Sequence, residues 1–175
     1  MLLEAVGIAN ADDPKNEPRY LDQRFPRFEK TLQIARALKE DGLIYGLGFQ
    51  LHLNAALPIF EDEVRKRLKI VVDEGLVAMP TELDVRVDEV RGDETVKQQK
   101  QADVLEFWVK TFYESGKCRL FNTFSVSDND SWYASDNGRP DANETLFDRN
   151  YKPKSSYDRL VALLEKLLLE KQKRK

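Results

Sequence analysis

Cysteine and histidine each occur once in this chain, as Cys118 and His52. A single cysteine cannot form an intrachain disulfide, and it excludes both a CxxC pair and a multi-cysteine zinc site. A single histidine excludes an HExxH zinc motif, so any Ser-His-Asp triad would have to be built around His52. The sequence therefore excludes the most familiar cysteine-based and histidine-based metal sites.

Long apolar runs and an excess of basic residues are also absent. No apolar stretch approaches the roughly 20 residues of a membrane-spanning helix. The segment Met1–Gly7 has neither the basic start nor the apolar core of a signal peptide. A net charge of −3 argues against a nucleic-acid partner, which usually requires a basic face. The one basic cluster is the tail 170–175, which is typical of a solvated helix end.

Apolar residues make up 41% of the 175 residues and charged residues 34%, as in a soluble domain with a core of its own. The pattern alternates strands with amphipathic helices. Residues 2–9 could be the last turns of a helix, residues 10–16 a turn, and residues 19–21 a short strand. The other predicted strands cover residues 43–53, 76–87 and 119–127. The predicted helices cover residues 26–40 and 61–74, a segment ending at Gly116, and the residues after Tyr151.

This alternation predicts an α/β protein with a parallel sheet, for which two architectures compete. A doubly wound sheet would usually carry a glycine-rich phosphate loop after its first strand, and none is present. Four strand-helix units are half of a (β/α)8 barrel, whose active residues lie at the C-terminal ends of strands. Polar residues occupy such positions here, at Gln50 and His52, at Glu82 and Asp84, and from Ser127 onward.

The segment Thr81–Asp84 places two carboxylates, Glu82 and Asp84, on one face of a predicted strand. An unpaired buried carboxylate costs several kcal/mol, so the pair indicates either a catalytic site or a strand end that faces water. His52, on the neighbouring strand, could hydrogen-bond both acids, and Gln50 shares its face. An exposed indole at Trp132 could stack on the apolar face of a sugar.

Four motifs occur in an order and spacing that resemble the second half of glycoside hydrolase family 10, the endo-1,4-β-xylanases. The motifs are Gly48–His52, Thr81–Asp84, Val126–Trp132 and Leu146–Lys154. The resemblance implies that residues 1–175 form a single partial catalytic domain, comprising the fifth to eighth βα units of a (β/α)8 TIM barrel.

The resemblance also implies an activity, namely cleavage of xylan at β-1,4 linkages with retention of configuration. It assigns Glu82 as the nucleophile and His52 and Asp84 as the side chains that orient it. It assigns three residues to contact with the sugar: Gln50, Phe124 and Trp132. It implies xylan or xylo-oligosaccharide as the partner, no metal or organic cofactor, and an extracellular location.

Three departures from the family pattern shape these expectations. The acid/base glutamate of the family follows an asparagine on the fourth strand, and we expect this chain to begin after that point. Asp22–Arg24 stands where the family usually has an Asn-Asp-Tyr segment, and Phe124 where it usually has tryptophan. We therefore expect a fragment without the acid/base, completed by a missing N-terminal half barrel or by self-association. The alternative is a non-catalytic or vestigial carbohydrate-binding half barrel.

Overall fold

The computed structural model describes the backbone of residues 2–5 and 19–173 and the side chains of residues 28–173. Within it the chain forms two compact units. The first contains the residues up to Leu53, Leu57–Asp84 and Thr111–Phe124. The second contains Asn54–Ala56, Val85–Lys110 and the residues from Ser125 onward. That the whole chain acts as one partial catalytic domain stays a prediction.

The described strands are β1 (Leu2–Ala5), β2 (Gly46–Phe49), β3 (His52–Asn54), β4 (Val77–Pro80) and β5 (Asp84–Arg86). The described α-helices are α1 (Arg19–Glu40), α2 (Glu61–Asp73), α3 (Glu94–Glu114), α4 (Trp132–Ser135) and α5 (Ser155–Lys173). A 3-10 turn covers Asp128–Asp130. A second, two-stranded sheet pairs β3 with β5, and both of these strands run from the first unit into the second.

The first unit is built on a parallel sheet in the order β1-β2-β4. The central strand β2 pairs on both sides, so that Leu47 lies opposite Leu3 on β1 and Ala78 on β4. The sequence places α1 between β1 and β2, and α2 between β2 and β4, which is the crossover that parallel strands require. The largest buried side chains of this unit include Leu32, Leu47, Phe49, Leu68, Val71, Leu76 and Phe112.

The end of α2 directs the chain into β4 and towards Glu82. Gly75 has a φ of 74°, a backbone conformation that glycine adopts without the steric cost of a Cβ. Its N–H donates to Val72 O at 2.8 Å, and Leu76 N–H donates to Val71 O at 3.2 Å. These bonds satisfy the last carbonyls of α2, and β4 begins two residues after the glycine.

The strands predicted over residues 43–53 and 76–87 are each interrupted where the polar residues lie. Gln50 and Leu51 separate β2 from β3, and residues 81–83 separate β4 from β5, so Glu82 lies in a bend and not on a strand. Leu51 has a φ of 62°, a left-handed conformation that breaks the strand geometry. The predicted continuous strands are therefore wrong at the two positions that carry the candidate site.

Three further predictions differ from the structure. Residues 2–5 form a strand instead of a helix end, and residues 19–21 lie in α1 instead of a strand. Residues 119–127 contain no regular strand and make only single bridges, such as the one between Leu83 and Thr123. The predicted turn over residues 10–16 falls outside the described residues. None of the described helices combines the length and the apolar composition needed to cross a bilayer.

The core of the second unit lies between the N-terminal part of α3 and α5. Its buried apolar side chains include Val85, Val87, Val104, Leu105, Val109 and Leu160. Gln101 on α3 is 1% exposed, and its amide donates to Val85 O at 2.9 Å and to Asn143 O at 2.8 Å. Its carbonyl accepts from Ser156 Oγ on α5 at 2.8 Å, so one amide joins the two helices to β5 and to the loop after α4.

A ring of charges links β5 to the loop after α4 within the second unit. The buried guanidinium of Arg86 lies 2.7 Å from Asp88 and 2.9 Å from Glu89, and Arg139 lies 2.8 Å and 3.0 Å from the same two carboxylates. Burial raises the pKa of Glu89, but hydrogen bonds from Arg86, Asn54 and Arg139 outweigh it and lower that pKa to about 2. Glu89 therefore stays ionised well into the acid range.

Candidate active site

Glu82 lies on a short segment whose backbone is held from two sides within the first unit. Thr81 N–H donates to Phe49 O at 2.8 Å, and Leu83 N–H donates to Asn122 O at 2.9 Å. The bend between them turns the Glu82 side chain outward, and 23% of that side chain is exposed. A carboxylate on a fixed backbone and partly open to solvent is accessible to a ligand.

His52 joins Glu82 to the buried Asp84 in a line of three side chains. Its Nδ1 lies 2.8 Å from Asp84 Oδ2, and its Nε2 lies 3.0 Å from Glu82 Oε2. The side chain of Asp84 is 2% exposed and that of His52 is 9% exposed, so the line runs from the interior to the more exposed Glu82. Because both ring nitrogens are engaged, the imidazole fixes the orientation of one Glu82 oxygen.

The geometry of this line favours a protonated His52. A neutral imidazole can donate from only one nitrogen, whereas two ionised carboxylates at hydrogen-bond distance call for two donors. Burial lowers the pKa of His52, but the hydrogen bonds and charges of Asp84 and Glu82 together outweigh it and raise that pKa above its ordinary value of 6.5. A protonated ring can donate from both nitrogens, so that Asp84 and Glu82 each accept one hydrogen bond.

This shift predicts a pH dependence of stability with a defined sign. Since the folded state holds the His52 proton more tightly than the unfolded state, the stabilisation is complete below pH 6.5 and is lost as pH rises through the folded pKa. We expect the difference in unfolding free energy between the wild type and His52→Gln, measured in urea, to shrink from pH 6 towards alkaline pH. The α-amino group is common to both proteins and cancels in the comparison. A difference that grows with pH would contradict the assignment.

Gln50 and Phe124 complete the group of side chains around Glu82 and His52. Gln50 Nε2 donates to the second Glu82 oxygen, Oε1, over a long 3.5 Å. Phe124 is 42% exposed as a residue, and its ring lies edge to face with His52, at 5.2 Å between centroids and 85° between planes. Leu51 lies between Gln50 and His52 and has a left-handed backbone. The side chains of both neighbours contact Glu82. Sequence reasoning missed Leu51, because leucine gives no signal of a positive φ.

The structure thus brings five of the six predicted site residues together in the first unit, and the sixth, Trp132, belongs to the second unit. Trp132 is the first residue of α4, whose N-cap Ser131 accepts a hydrogen bond from Ala134 N–H at 3.2 Å. Its half-buried ring lies 4.3 Å from the ring of Tyr133, tilted by 39°.

The chemistry open to this group is that of a single oriented carboxylate. One oxygen of Glu82 is fixed by His52, and the other receives, from the side chains described, a single long contact from Gln50. A carboxylate held in this way can attack an electrophilic carbon or accept a proton. Within the described part of the chain, no three His, Cys, Asp or Glu side chains are grouped so that they could hold a metal ion.

Comparison with known proteins finds relatives that belong to one enzyme class, the endo-1,4-beta-xylanases. The family model of glycosyl hydrolase family 10 matches residues 16–163. Endo-1,4-beta-xylanase B of Humicola insolens is 28% identical over 167 residues, covering 88% of this chain and 46% of the relative. Endo-1,4-beta-xylanase 5 of Pyricularia oryzae is 28% identical over 162 residues, covering 89% and 39%.

The solved structures that resemble this chain are also xylanases. Native xylanase 10B from Thermotoga maritima superposes with a TM-score of 0.69 at 28% identity, covering 81% of this chain and 44% of that one. The GH10 xylanase of Thermobacillus composti gives a TM-score of 0.65 at 27% identity, covering 85% and 50%. The predicted (β/α)8 lineage is thereby confirmed over the open doubly wound sheet.

The chain spans less than half the length of the curated relatives it matches. The family model nevertheless covers most of its residues, and it includes all four of the motifs that carry the candidate site. This chain belongs to glycosyl hydrolase family 10.

Proposed function

We propose that this chain supplies the nucleophile of a retaining endo-1,4-β-xylanase. The observation that carries the proposal is the hydrogen-bonded line Asp84–His52–Glu82, with 2.8 Å and 3.0 Å between its members. A retaining glycosidase needs one carboxylate that is ionised and aimed at the anomeric carbon. The hydrogen bond from His52, which is itself paired with the buried Asp84, holds one Glu82 oxygen in a fixed orientation.

In the proposed reaction, a Glu82 oxygen attacks the anomeric carbon of a xylosyl unit and displaces the glycosidic oxygen. The product is a glycosyl ester of Glu82, which water later hydrolyses. His52 and Asp84 orient the attacking carboxylate and do not touch the sugar. Gln50 donates to a sugar hydroxyl near the attacking carboxylate, and Phe124 offers its exposed ring beside His52.

Xylan and xylo-oligosaccharides are the proposed substrates, because the relatives are named as endo-1,4-β-xylanases. Trp132 is proposed to contact the sugar through its indole, as the resemblance assigns. The extracellular location is part of the same proposal and rests on the family alone.

A second carboxyl group must protonate the leaving oxygen and later activate water, at about 5–5.5 Å from the nucleophile in retaining enzymes. The family resemblance assigns no residue of this chain to that role. We propose that the acid/base comes from residues outside these 175, in a companion half barrel. The competing proposal is a half barrel that binds carbohydrate without cleaving it.

Pre-steady-state release of dinitrophenol from an activated aryl β-xylobioside distinguishes the catalytic proposal from the binding proposal. This leaving group needs no protonation, so we expect a burst of up to one equivalent per chain. The later turnover should be slow, since the missing acid/base normally contributes about 10²–10⁴-fold. Mass spectrometry should find a xylobiosyl adduct on the peptide that carries Glu82. A chain that binds xylobiose with neither burst nor adduct would refute the catalytic proposal and support the binding one.

A further inference from the structure

Tyr151 combines an exposed aromatic ring with an unfavourable backbone conformation. Its φ is 58°, in the left-handed region that bulky residues rarely adopt, and 55% of the residue is exposed. Glycine or asparagine would occupy this turn with less strain. Because more than half of the tyrosine surface faces solvent, burial of the ring compensates the strain only in part. A strained residue of this kind calls for a functional hypothesis.

The turn that carries Tyr151 is rigidly hydrogen-bonded. Asp148 Oδ1 accepts from Asn150 N–H at 2.8 Å and from Lys152 N–H at 2.9 Å. Tyr151 N–H donates to Asp148 O at 2.9 Å, and Asp148 N–H donates to Lys152 O at 2.8 Å. The backbone of this turn therefore makes hydrogen bonds at Asp148, Asn150, Tyr151 and Lys152.

The far end of the Tyr151 side chain is held as well. Its hydroxyl accepts from Asn129 Nδ2 at 3.2 Å and lies 3.4 Å from Asp130 Oδ2. Asn129 and Asp130 are exposed residues of the 3-10 turn, which ends two residues before Trp132. The ring is thus oriented from both ends, and exposed amide and carboxylate groups lie beside it.

We propose that Tyr151, with Asn129 and Asp130, forms a saccharide-binding platform that takes one xylopyranose unit of a xylo-oligosaccharide. The substrate class rests on the proposed function, and the platform itself rests on the turn. An aromatic ring packs against the C–H face of a pyranose, and neighbouring amide and carboxylate groups bond its hydroxyls. The carboxylates of Asp130 and Asp148 are offset by the exposed cations Arg149 and Lys152 of the same turn, so a neutral polyhydroxylated chain fits this surface better than a strongly charged ligand.

The sharpest test replaces Tyr151 by glycine, which adopts a φ of 58° without strain. The unfolding free energy of Tyr151→Gly should equal or exceed that of the wild type, whereas its affinity for xylohexaose should fall about five- to tenfold. Tyr151→Phe keeps the ring and should keep most of the affinity. The control is Tyr45→Ala, because Tyr45 has a similar exposure of 56% but lies in the first unit, and its loss should leave binding unchanged.

Calorimetric titration with xylohexaose gives the affinities, and urea unfolding gives the stabilities. Unchanged affinity in Tyr151→Gly would contradict the platform. A loss of stability that accompanies the loss of binding would also contradict it, because the ring would then stabilise the folded protein and not the ligand. A wild type that binds xylohexaose through Tyr151 but forms no adduct on Glu82 refutes the proposed catalysis and leaves the platform standing. The two proposals therefore fail separately.

Discussion

Replacing Glu82 by alanine is expected to reduce the burst rate on an activated aryl β-xylobioside by on the order of 10⁴-fold or more. In the proposed mechanism the glycosyl ester forms on Glu82, and Asp84, the other carboxylate of the line, is 2% exposed and too deeply buried to replace it. His52 and Asp84 remain in place and the fold is expected to persist, because Glu82 lies in a bend and is partly exposed. Rapid-quench measurement of dinitrophenol release would quantify the loss.

Azide sharpens this test, because it is a small nucleophile that needs no general base. In the wild type it should attack the glycosyl ester after one inversion and release the β-xylobiosyl azide. In Glu82→Ala it should enter the space left by the carboxylate, displace dinitrophenolate directly, and give the α-xylobiosyl azide. Glu40→Ala, at an exposed glutamate of α1, serves as the control and should behave as the wild type does. The β product from both proteins would show that Glu82 is not the nucleophile.

Replacing Lys154 by methionine is expected to lower the unfolding free energy by about 3–5 kcal/mol. Lys154 Nζ lies 2.5 Å from Asp128 Oδ2, and both side chains are 4% exposed. The ammonium also donates to Asn143 O at 2.9 Å and to Thr145 O at 3.0 Å. Methionine keeps most of the volume, but within the described part of the chain it leaves the buried carboxylate of Asp128 with only the donors of Thr145 as partners. Urea unfolding at neutral pH would measure the change.

Lys69→Met is the matched control for Lys154→Met. Its partner Asp73 lies 2.6 Å away, nearly the distance of the buried pair, but both side chains are mainly exposed, at 73% and 59%. Exposed pairs contribute about 0–1 kcal/mol, so the two substitutions should differ severalfold. The double variant Asp128→Asn/Lys154→Met removes both charges and should be more stable than the sum of the single losses suggests. Equal losses for Lys69 and Lys154 would contradict the role of burial.

The parts of the fold that sequence predicted well are those that depend on local pattern. Helix α2 was predicted as residues 61–74 and spans Glu61–Asp73, because its apolar spacing and the closing glycine are both local signals. Strands depend on hydrogen bonds to distant segments. Residues 119–127 have strand-like composition, but within the described residues they pair only through single bridges, and composition carries no information about that partner.

The candidate site shows the same division. Spacing alone suggested that Glu82, Asp84 and His52 would meet, and the side chains do lie within hydrogen-bond distance. Straight strands would place Glu82 and Asp84 on one face, whereas Leu51 adopts a left-handed backbone and Glu82 lies in a bend. The edge-to-face contact of Phe124 with His52 has no signal in the sequence, since a phenylalanine near a strand end gives no indication of which ring it will meet.

The ring of charges around Arg86 and the ion pair at Lys154 differ in how many partners remain after one residue is replaced. In the ring, Asp88 and Glu89 each contact both Arg86 and Arg139, so removing either guanidinium leaves every carboxylate with a partner. Among the side chains that the structure describes, Asp128 meets a single ammonium, that of Lys154. Each carboxylate of the ring keeps a cationic partner after one arginine is lost, whereas Asp128 loses its cationic partner when Lys154 is replaced. We therefore expect the ring to tolerate the loss of Arg139 alone, whereas the loss of Lys154 is tolerated only when Asp128 is replaced with it.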